Sequence, residues 1–246
     1  MVVSASRRSA DLRVRPLRPG DDAAIGRLFD DTLSLGEPLP FVLTCAREYR
    51  ELSIGWYLTT ARDDAAVVVD AADPTEIVGY ALVCTDEAQY GRTMKLPTLR
   101  FVLRALWMLV TLRMNAPSRR FYTDRARDVF ALVDDHRIRP ARAHAHLNVS
   151  AGKRSGSAAL LLREHIDDRC RRAGLDAWSG DINARVGERR RALERLGLTV
   201  VSSRRNHTLS RRMGCEVERL MVVRSLAAGT SANIQHHISS GSPVAP

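Results

Sequence analysis

The sequence predicts a mixed α/β fold built around one sheet. The segment 12–17 alternates with the two-residue period of a strand, whereas the segment 155–174 has apolar residues at helical spacing and ends at a glycine. Strand-like and helix-like segments then alternate along most of the chain, which favours helices packed on a sheet. The 246 residues are 45% hydrophobic, enough for one domain with a sizeable core.

The first part of the chain predicts a strand, two helices and a hairpin. Two aspartates follow the turn at Pro19 and Gly20, and acidic residues favour a helix N-terminus. Asp73 and Pro74 supply turn chemistry between two apolar segments. The predicted elements are strand 12–17, a helix beginning at Asp21, a helix at 44–58, and strands 65–71 and 76–86.

The segment 87–128 is predicted to be a helical insertion, because it is apolar and basic at helical spacing. Its longest uncharged run, ALWMLVTL, is far shorter than the roughly 20 residues needed to cross a bilayer. The pattern is typical of a buried helix or of one that covers a substrate pocket. A membrane-surface helix at 95–115 is the alternative.

The second part of the chain continues the alternation of strands and helices. The predicted elements are strand 142–150, helix 155–174, strand 175–182, helix 186–197, and strands 198–203 and 215–226. We therefore expect a single domain over 12–226. The N-terminal arm 1–11 and the low-complexity tail 227–246 are expected to be disordered.

The chain is basic, with 38 Lys and Arg against 28 Asp and Glu and a formal net charge of +10. Such a surface suits polyanions or a phosphorylated cofactor. Aromatic residues are only 5%, which disfavours stacking on single strands, and we expect no nucleic-acid partner. The four cysteines lack metal-site spacing. They predict no metal centre and a reducing, cytoplasmic location.

A small, basic loop lies between the predicted strand 142–150 and the helix that follows it. Helix N-termini present unpaired N–H groups and attract phosphate. The loop adds glycines that let a ligand approach the backbone, hydroxyls, and cations: Gly152, Gly156, Ser155, Ser157, Lys153 and Arg154. This predicts a phosphate or pyrophosphate site. The alternative is a simple strand-to-helix turn with a basic surface.

Three segments resemble the GCN5-related N-acetyltransferases. The family signature Q/R-x-x-G-x-G/A is matched by KRSGSA, with Lys153 first, Gly156 fourth and Ala158 sixth. VRPLRPGDDAAIGRLF, at 14–29, resembles the family's first strand and helix. ALERLGLTVV, at 192–201, resembles its helix-to-strand passage. The resemblance covers most of 12–226 apart from the insertion.

This resemblance implies a central, mostly antiparallel sheet with splayed middle strands, flanked by helices. It implies acetyl-CoA as cofactor, with its pyrophosphate on the N–H groups of the loop 153–158. The pantetheine arm would pair with backbone near Leu147 and Val149, and Asn183 would replace an asparagine of the family. An acceptor amine would attack the thioester directly, while a backbone N–H near Val149 polarises the carbonyl.

Two residues are candidates for the general base. His144, His146 and Asn148 share one face of their predicted strand. His146 is the preferred base, because histidine titrates near neutral pH and this position is closest to the expected splay. Asp181, on the next strand, is the second candidate. Structural roles, in a sheet contact or a cap, are the alternatives for both residues.

Three functions remain open from the sequence. The first is acetyl transfer to an unidentified amine by a monomer or homodimer. The tyrosine and asparagine usual in the family would fall at Leu193 and near Val186, so a CoA-binding regulatory module with weak or no catalysis is the second. The third is a basic protein that binds nucleic acid or a membrane surface.

Overall fold

The computed structural model describes residues 11–136, 141–153 and 156–227, with backbone alone at 130–136 and Lys153. The two predicted tails therefore lie outside the described residues, except for Asp11 and Ala227. Arg154 and Ser155 of the predicted anion loop also lie outside them.

The described chain forms seven strands and nine α-helices. In chain order they are β1 (Leu12–Pro16), α1 (Asp21–Asp31), α2 (Ala46–Arg50), α3 (Trp56–Thr59), β2 (Ala66–Asp70), β3 (Ile77–Cys84), α4 (Glu87–Thr93), α5 (Lys95–Val110), α6 (Ala116–His136), β4 (Ala143–Val149), α7 (Gly156–Arg172), β5 (Ala177–Arg185), α8 (Arg190–Arg195), β6 (Thr199–Arg205), α9 (His207–Met213) and β7 (Val217–Ser225).

All seven strands belong to one sheet, in the order β1-β2-β3-β4-β5-β7-β6. Every neighbouring pair is antiparallel except β4 and β5, which run parallel. The prediction of a mixed α/β fold with a mostly antiparallel sheet flanked by helices is confirmed.

Each face of the sheet has its own hydrophobic core. On one face, β2 and β3 direct residues such as Val67 and Tyr80 against the helices that precede β4. On the other face, α7 buries one side chain per turn, at Ala158, Leu162, Ile166 and Cys170. The apolar side chains of β4 and β5, such as Ala145 and Trp178, belong to this second core.

The ends of α1 and α7 follow from local chemistry. Asp21 opens α1 and accepts two hydrogen bonds from the Arg15 guanidinium, at 2.7 and 3.0 Å. The Arg15 hydrogen bond is the main reason that the pKa of Asp21 is lowered. After α7, Gly174 adopts a φ of 70°, and Leu175 N bonds back to Cys170 O at 2.9 Å. This geometry favours glycine and stops the helix before β5.

Three helical segments differ from the expected ones. The predicted helix 44–58 is interrupted by a π-helical turn at Glu51–Gly55. The predicted helix 186–197 is shorter, because Gly187 at φ 81° forms a turn before α8. The sequence pattern also missed α9. That helix begins where the Asn206 side chain accepts a hydrogen bond from Leu209 N.

Candidate functional site

The sheet opens between β4 and β5. These strands pair only at Ala143 with Trp178 and at His144 with Ser179. Beyond this point β5 continues to pair with β7 along its whole length, but it leaves β4. Gly180 marks the last close approach, since a Cβ on it would lie 3.3 Å from Ala145 O. A wedge-shaped gap therefore separates the later residues of the two strands.

The edge of β4 that borders this gap carries backbone hydrogen-bonding groups. Ser150 N donates to Val78 O at 2.8 Å, so the even-numbered residues of β4 direct their backbone groups towards β3. By alternation, Ala145, Leu147 and Val149 direct their N–H and C=O groups towards β5. The pairing of His144 with Ser179 uses the Ala145 N–H, so the gap is lined on one side by the N–H and C=O groups of Leu147 and Val149.

The N-terminus of α7 follows closely after this edge. A short 3₁₀ turn, Ala151–Lys153, leads from β4 to the helix start at Gly156. Gly156 and Ser157 are exposed, and a Cβ on Gly156 would meet no atom within 4 Å. Ala158 is fully buried in the core. This is where the structure places the described part of the predicted anion loop.

No family model matches the chain, and no curated protein matches it either. Solved structures do resemble it. SsHAT is 21% identical, with 88% of this chain and 98% of that protein covered and a TM-score of 0.58. A GCN5-related N-acetyltransferase from Kribbella flavida is 18% identical, covering 87% and 97%, with a TM-score of 0.49. A putative acetyltransferase, yncA, from Salmonella typhimurium with acetyl-CoA is 13% identical, covering 91% and 98%, with a TM-score of 0.49.

This chain has the fold of the GCN5-related N-acetyltransferases. The gap between β4 and β5 corresponds to the expected splay of the middle strands. It lies next to the predicted anion loop, at the start of α7.

Within this acetyltransferase fold, β4 presents three polar side chains on the face opposite α7. His144 is buried, and both of its ring nitrogens are engaged: Nδ1 lies 2.5 Å from Glu87 Oε2, and Nε2 lies 2.6 Å from Tyr57 Oη. If the Tyr57 hydroxyl donates to Nε2, the proton on Nδ1 faces the Glu87 carboxylate. This network fixes the ring of His144 and gives it a structural role.

His146, the preferred base, is exposed. Its ring lies edge-on to Tyr57, with the centroids 5.3 Å apart, so the same tyrosine contacts both histidines. Asn148 donates from Nδ2 to Thr32 Oγ1 and to Tyr80 Oη, both at 2.9 Å. Of these β4 side chains, His146 combines exposure with a position beside the gap.

The two predicted residues on β5 have definite partners. Asp181, the second candidate base, accepts a hydrogen bond from Arg219 Nη2 at 2.7 Å. Asn183 accepts one from Asn206 Nδ2 at 2.8 Å, and Asn206 is also the N-cap of α9. These contacts connect the far side of the gap to β7 and α9.

Arg125, on α6, is a site candidate that the sequence did not identify. Its Nε donates to Tyr49 Oη at 3.1 Å. The Tyr49 oxygen, then Asp128 and Asp181, raise the pKa of Arg125 above its usual value. A cation is therefore held near the Asp181 carboxylate. In the sequence, only the three-residue spacing of Arg125 and Asp128, which places both on one helix face, points to this site. Both residues lie within the predicted insertion 87–128.

The two positions at which the chain departs from the family lie in different environments. Leu193 is 4% exposed and packs in the core beneath α7. Val186 is exposed in the turn after β5. Neither side chain has a hydroxyl or amide group, so neither residue replaces the tyrosine or the asparagine that the resemblance implies at these positions.

One group of side chains has the composition of a metal site. Cys84, Glu87 and His144 place ligand atoms within 4.8 Å of one another. Both nitrogens of His144 are already engaged, however, so a cation would have to displace Glu87 from Nδ1. The hydrogen bonds explain the cluster without an ion.

Proposed function

We propose that the protein is an acetyl-CoA-dependent N-acyltransferase that transfers an acetyl group to an amine. The observation that carries this proposal is the polar edge of β4 along the gap, formed by Leu147 and Val149. A pantetheine arm contains amide groups that need partners of this type and spacing. A gap in the middle of a sheet lets such an arm act as a short additional strand.

The residues present fit the cofactor. The edge at Leu147 and Val149 would hold the arm, and the N-terminus of α7 would face the pyrophosphate. The open space around Gly156 supports close approach of a phosphate. The loop groups of Lys153, Arg154, Ser155, Ser157 and Ala158 complete the proposed cradle. Asn183 is the remaining cofactor contact, through the amide that also binds Asn206.

The bound cofactor supplies an activated thioester. In the proposed reaction His146 would take the proton of the acceptor amine, directly or through one water, and the Val149 N–H would polarise the carbonyl. The new C–N bond would replace the thioester C–S bond, and the sulfur would leave with CoA as a thiolate that takes up a proton from solvent. His146 is favoured over Asp181, because Asp181 already holds Arg219 and a proton on its carboxylate would weaken that ion pair. The exposed position of His146 also gives an amine access.

The test combines CoA binding with thiol release. We expect Gly156→Asp to raise the Kd of CoA at least about tenfold, because a carboxylate at a phosphate-binding helix N-terminus repels the ligand. Gly91→Asp is the matched control, since Gly91 also lies in a helix with nothing within 4 Å of its Cβ. Equal CoA affinity in both variants would contradict the proposed site.

A CoA-binding module without turnover is the second candidate function. It is supported by the buried Leu193, which leaves the usual acid position without a proton donor. CoA binding that is lost in Gly156→Asp, but with no thiol release across a broad panel of amines, would favour this alternative. Release of thiol with any amine would favour the enzyme.

We also propose a reducing, cytoplasmic setting. No disulfide joins any of the four described cysteines, and Cys84 and Cys170 are buried. Burial raises the pKa of the Cys170 thiol to about 12, which keeps it protonated and unreactive.

The proposed acceptor is an amine, and the panel of amines in the thiol-release assay would identify it.

A further inference from the structure

Helix α5 has apolar residues on two opposite faces. Its inner face packs on the domain through Phe101, whose ring lies 6.1 Å from that of Tyr49 and 5.6 Å from that of Tyr122. Residues of an α-helix are about 100° apart, so Leu103 points roughly 200° away from Phe101. The outer face therefore cannot contribute to the core that the inner face joins.

The outer face is a continuous apolar stripe. Its residues recur at intervals of three and four, which places them above one another along the helix. They are 51–79% exposed: Leu96, Leu99, Leu103, Leu106 and Val110. Leu112, just beyond the helix, is 85% exposed. Contiguous exposed apolar surface of this kind marks an interaction site.

The charge within this segment has one sign, although Arg104 lies 3.7 Å from the Glu48 carboxylate on α2. Between residues 88 and 123 the sequence contains no Asp or Glu, but it contains seven cations: Arg92, Lys95, Arg100, Arg104, Arg113, Arg119 and Arg120. The guanidinium groups of Arg104 and Arg113 lie 4.8 and 5.0 Å from the centre of the Trp107 ring. Trp107 is itself 44% exposed. An exposed tryptophan flanked by cations is typical of segments at the headgroup level of a membrane.

We propose that the outer face of α5 binds an anionic lipid surface. The 16 residues of α5 span about 24 Å, so the helix is suited to lie in the plane of the interface. Among the described residues, no helix is both long and apolar enough to cross a membrane. The stripe enters the acyl boundary while Lys95, Arg100 and Arg113 meet anionic headgroups. This proposal does not depend on the acetyltransferase reaction.

A second copy of the chain fits this face less well. The three-and-four spacing would allow two α5 helices to pair along the stripe. Pairing would then bring Lys95 and Arg100 of both copies beside one another. No acidic residue of the segment 88–123 is available to balance them. The phosphate groups of anionic phospholipids would instead supply the negative charges that balance these cations.

The test is vesicle co-sedimentation of the full-length protein. Vesicles of phosphatidylcholine alone are compared with an equimolar mixture of phosphatidylcholine and phosphatidylglycerol. We expect binding to the mixture, little binding to phosphatidylcholine, and loss of binding as salt is raised. Arg100→Gln is expected to weaken partitioning about fivefold. Leu103→Glu is expected to weaken it at least about tenfold.

Val129→Glu is the matched control, because Val129 lies on α6 with 53% exposure against 57% for Leu103. The proposal predicts normal binding for Val129→Glu and an unchanged circular dichroism spectrum for all variants. Equal binding of wild type and Leu103→Glu overturns it. So does a lipid-independent dimer in light scattering that Leu103→Glu dissociates, which would assign the face to a second copy.

Discussion

Two histidines on β4, two residues apart, have different surroundings. The alternating pattern placed His144 and His146 on one face, and the structure agrees. The pattern could not distinguish them, because the groups that bury His144 come from distant positions in the chain, Tyr57 and Glu87. Long-range packing therefore decides which histidine is buried and which is exposed.

His146→Gln is expected to lower kcat/KM by about 10²–10⁴, the usual contribution of a general base. The acidic limb of the pH profile should flatten, because a glutamine amide in place of the proposed base does not take up a proton. The Kd of CoA should not change. Steady-state kinetics between pH 5.5 and 9 would check this. A retained acidic limb would transfer the role to another residue.

Glu218 gives a pH-dependent contribution to stability. Burial alone would raise the pKa of this carboxyl, but hydrogen bonds from Ser203 Oγ at 2.7 Å and Gly187 N at 3.0 Å, with the Arg190 cation, lower it overall. A lowered pKa means that the charged form stabilises the fold above the unfolded-state pKa. That stability is lost as pH falls through the folded-state value.

Glu218→Gln is therefore expected to reduce the free energy of unfolding by about 1–3 kcal/mol at pH 7. The difference from wild type should begin to shrink below about pH 4.3, where unfolded glutamate takes up its proton. Urea unfolding at a series of pH values measures both quantities. A difference that stays constant down to acidic pH would contradict the assignment.

At the scale of single elements, β4 combines two kinds of edge. Its even-numbered residues direct backbone groups to β3, and its odd-numbered residues direct theirs into the gap. The sequence predicted this strand. The family resemblance added the prediction that it borders a splay in the sheet and pairs there with the pantetheine arm. The length over which β4 and β5 remain paired depends on how β5 packs against β7 and on the close approach at Gly180.

Hydrogen exchange within this one strand tests the proposed CoA site. The amides of Leu147 and Val149 are expected to exchange at least about tenfold more slowly when CoA is bound, because they gain ligand partners. The amides of His146 and Asn148 serve as internal controls, since β3 already protects them. Residue-resolved exchange that slows all four amides equally would indicate general stabilisation instead of strand-like binding.

The helices show where sequence patterns are informative and where they fail. The long periodic helix α7 was predicted almost to its ends, because its buried stripe and terminal glycine are local signals. The seven-residue helix α9 was missed, since it is stabilised by distant groups. Asp128 on α6 accepts hydrogen bonds from the backbone of His207 and Thr208, at 2.7 and 3.1 Å. No short-range pattern encodes that support.

At the scale of the whole molecule, the sheet separates two hydrophobic cores. Residue periodicity predicts that a core exists and which strand face is apolar, but the assignment of α1–α6 to one side and α7 to the other is a property of the assembled topology. The family resemblance implied a mostly antiparallel sheet with splayed middle strands, but the strand order is known from the structure alone. The residues at 154 and 155, central to the predicted loop, lie outside the described structure.

The two cores should respond independently to mutation. Ile54 and Ile166 are both almost fully buried, on opposite faces of the sheet. Each Ile→Val substitution is expected to cost about 0.5–1.5 kcal/mol in the free energy of unfolding. The double variant should equal the sum within about 0.5 kcal/mol, because the sites share no neighbours. A larger coupling energy in denaturant titrations would show that the sheet transmits strain between its faces.

The position of β7 has a consequence for how the chain is made. This strand is the last of the described strands in sequence, yet it lies between β5 and β6. Until residues 217–225 are made, β6 has no neighbour in the sheet and β5 has only β4. While the chain is still being synthesised, the edge of β5 that will receive β7 remains uncovered, and uncovered strand edges invite association with other chains. The N-terminal strands β1–β4 can meanwhile close on one another. Strands β1–β4 can therefore fold during synthesis before β7, which joins β5 to β6, has been made.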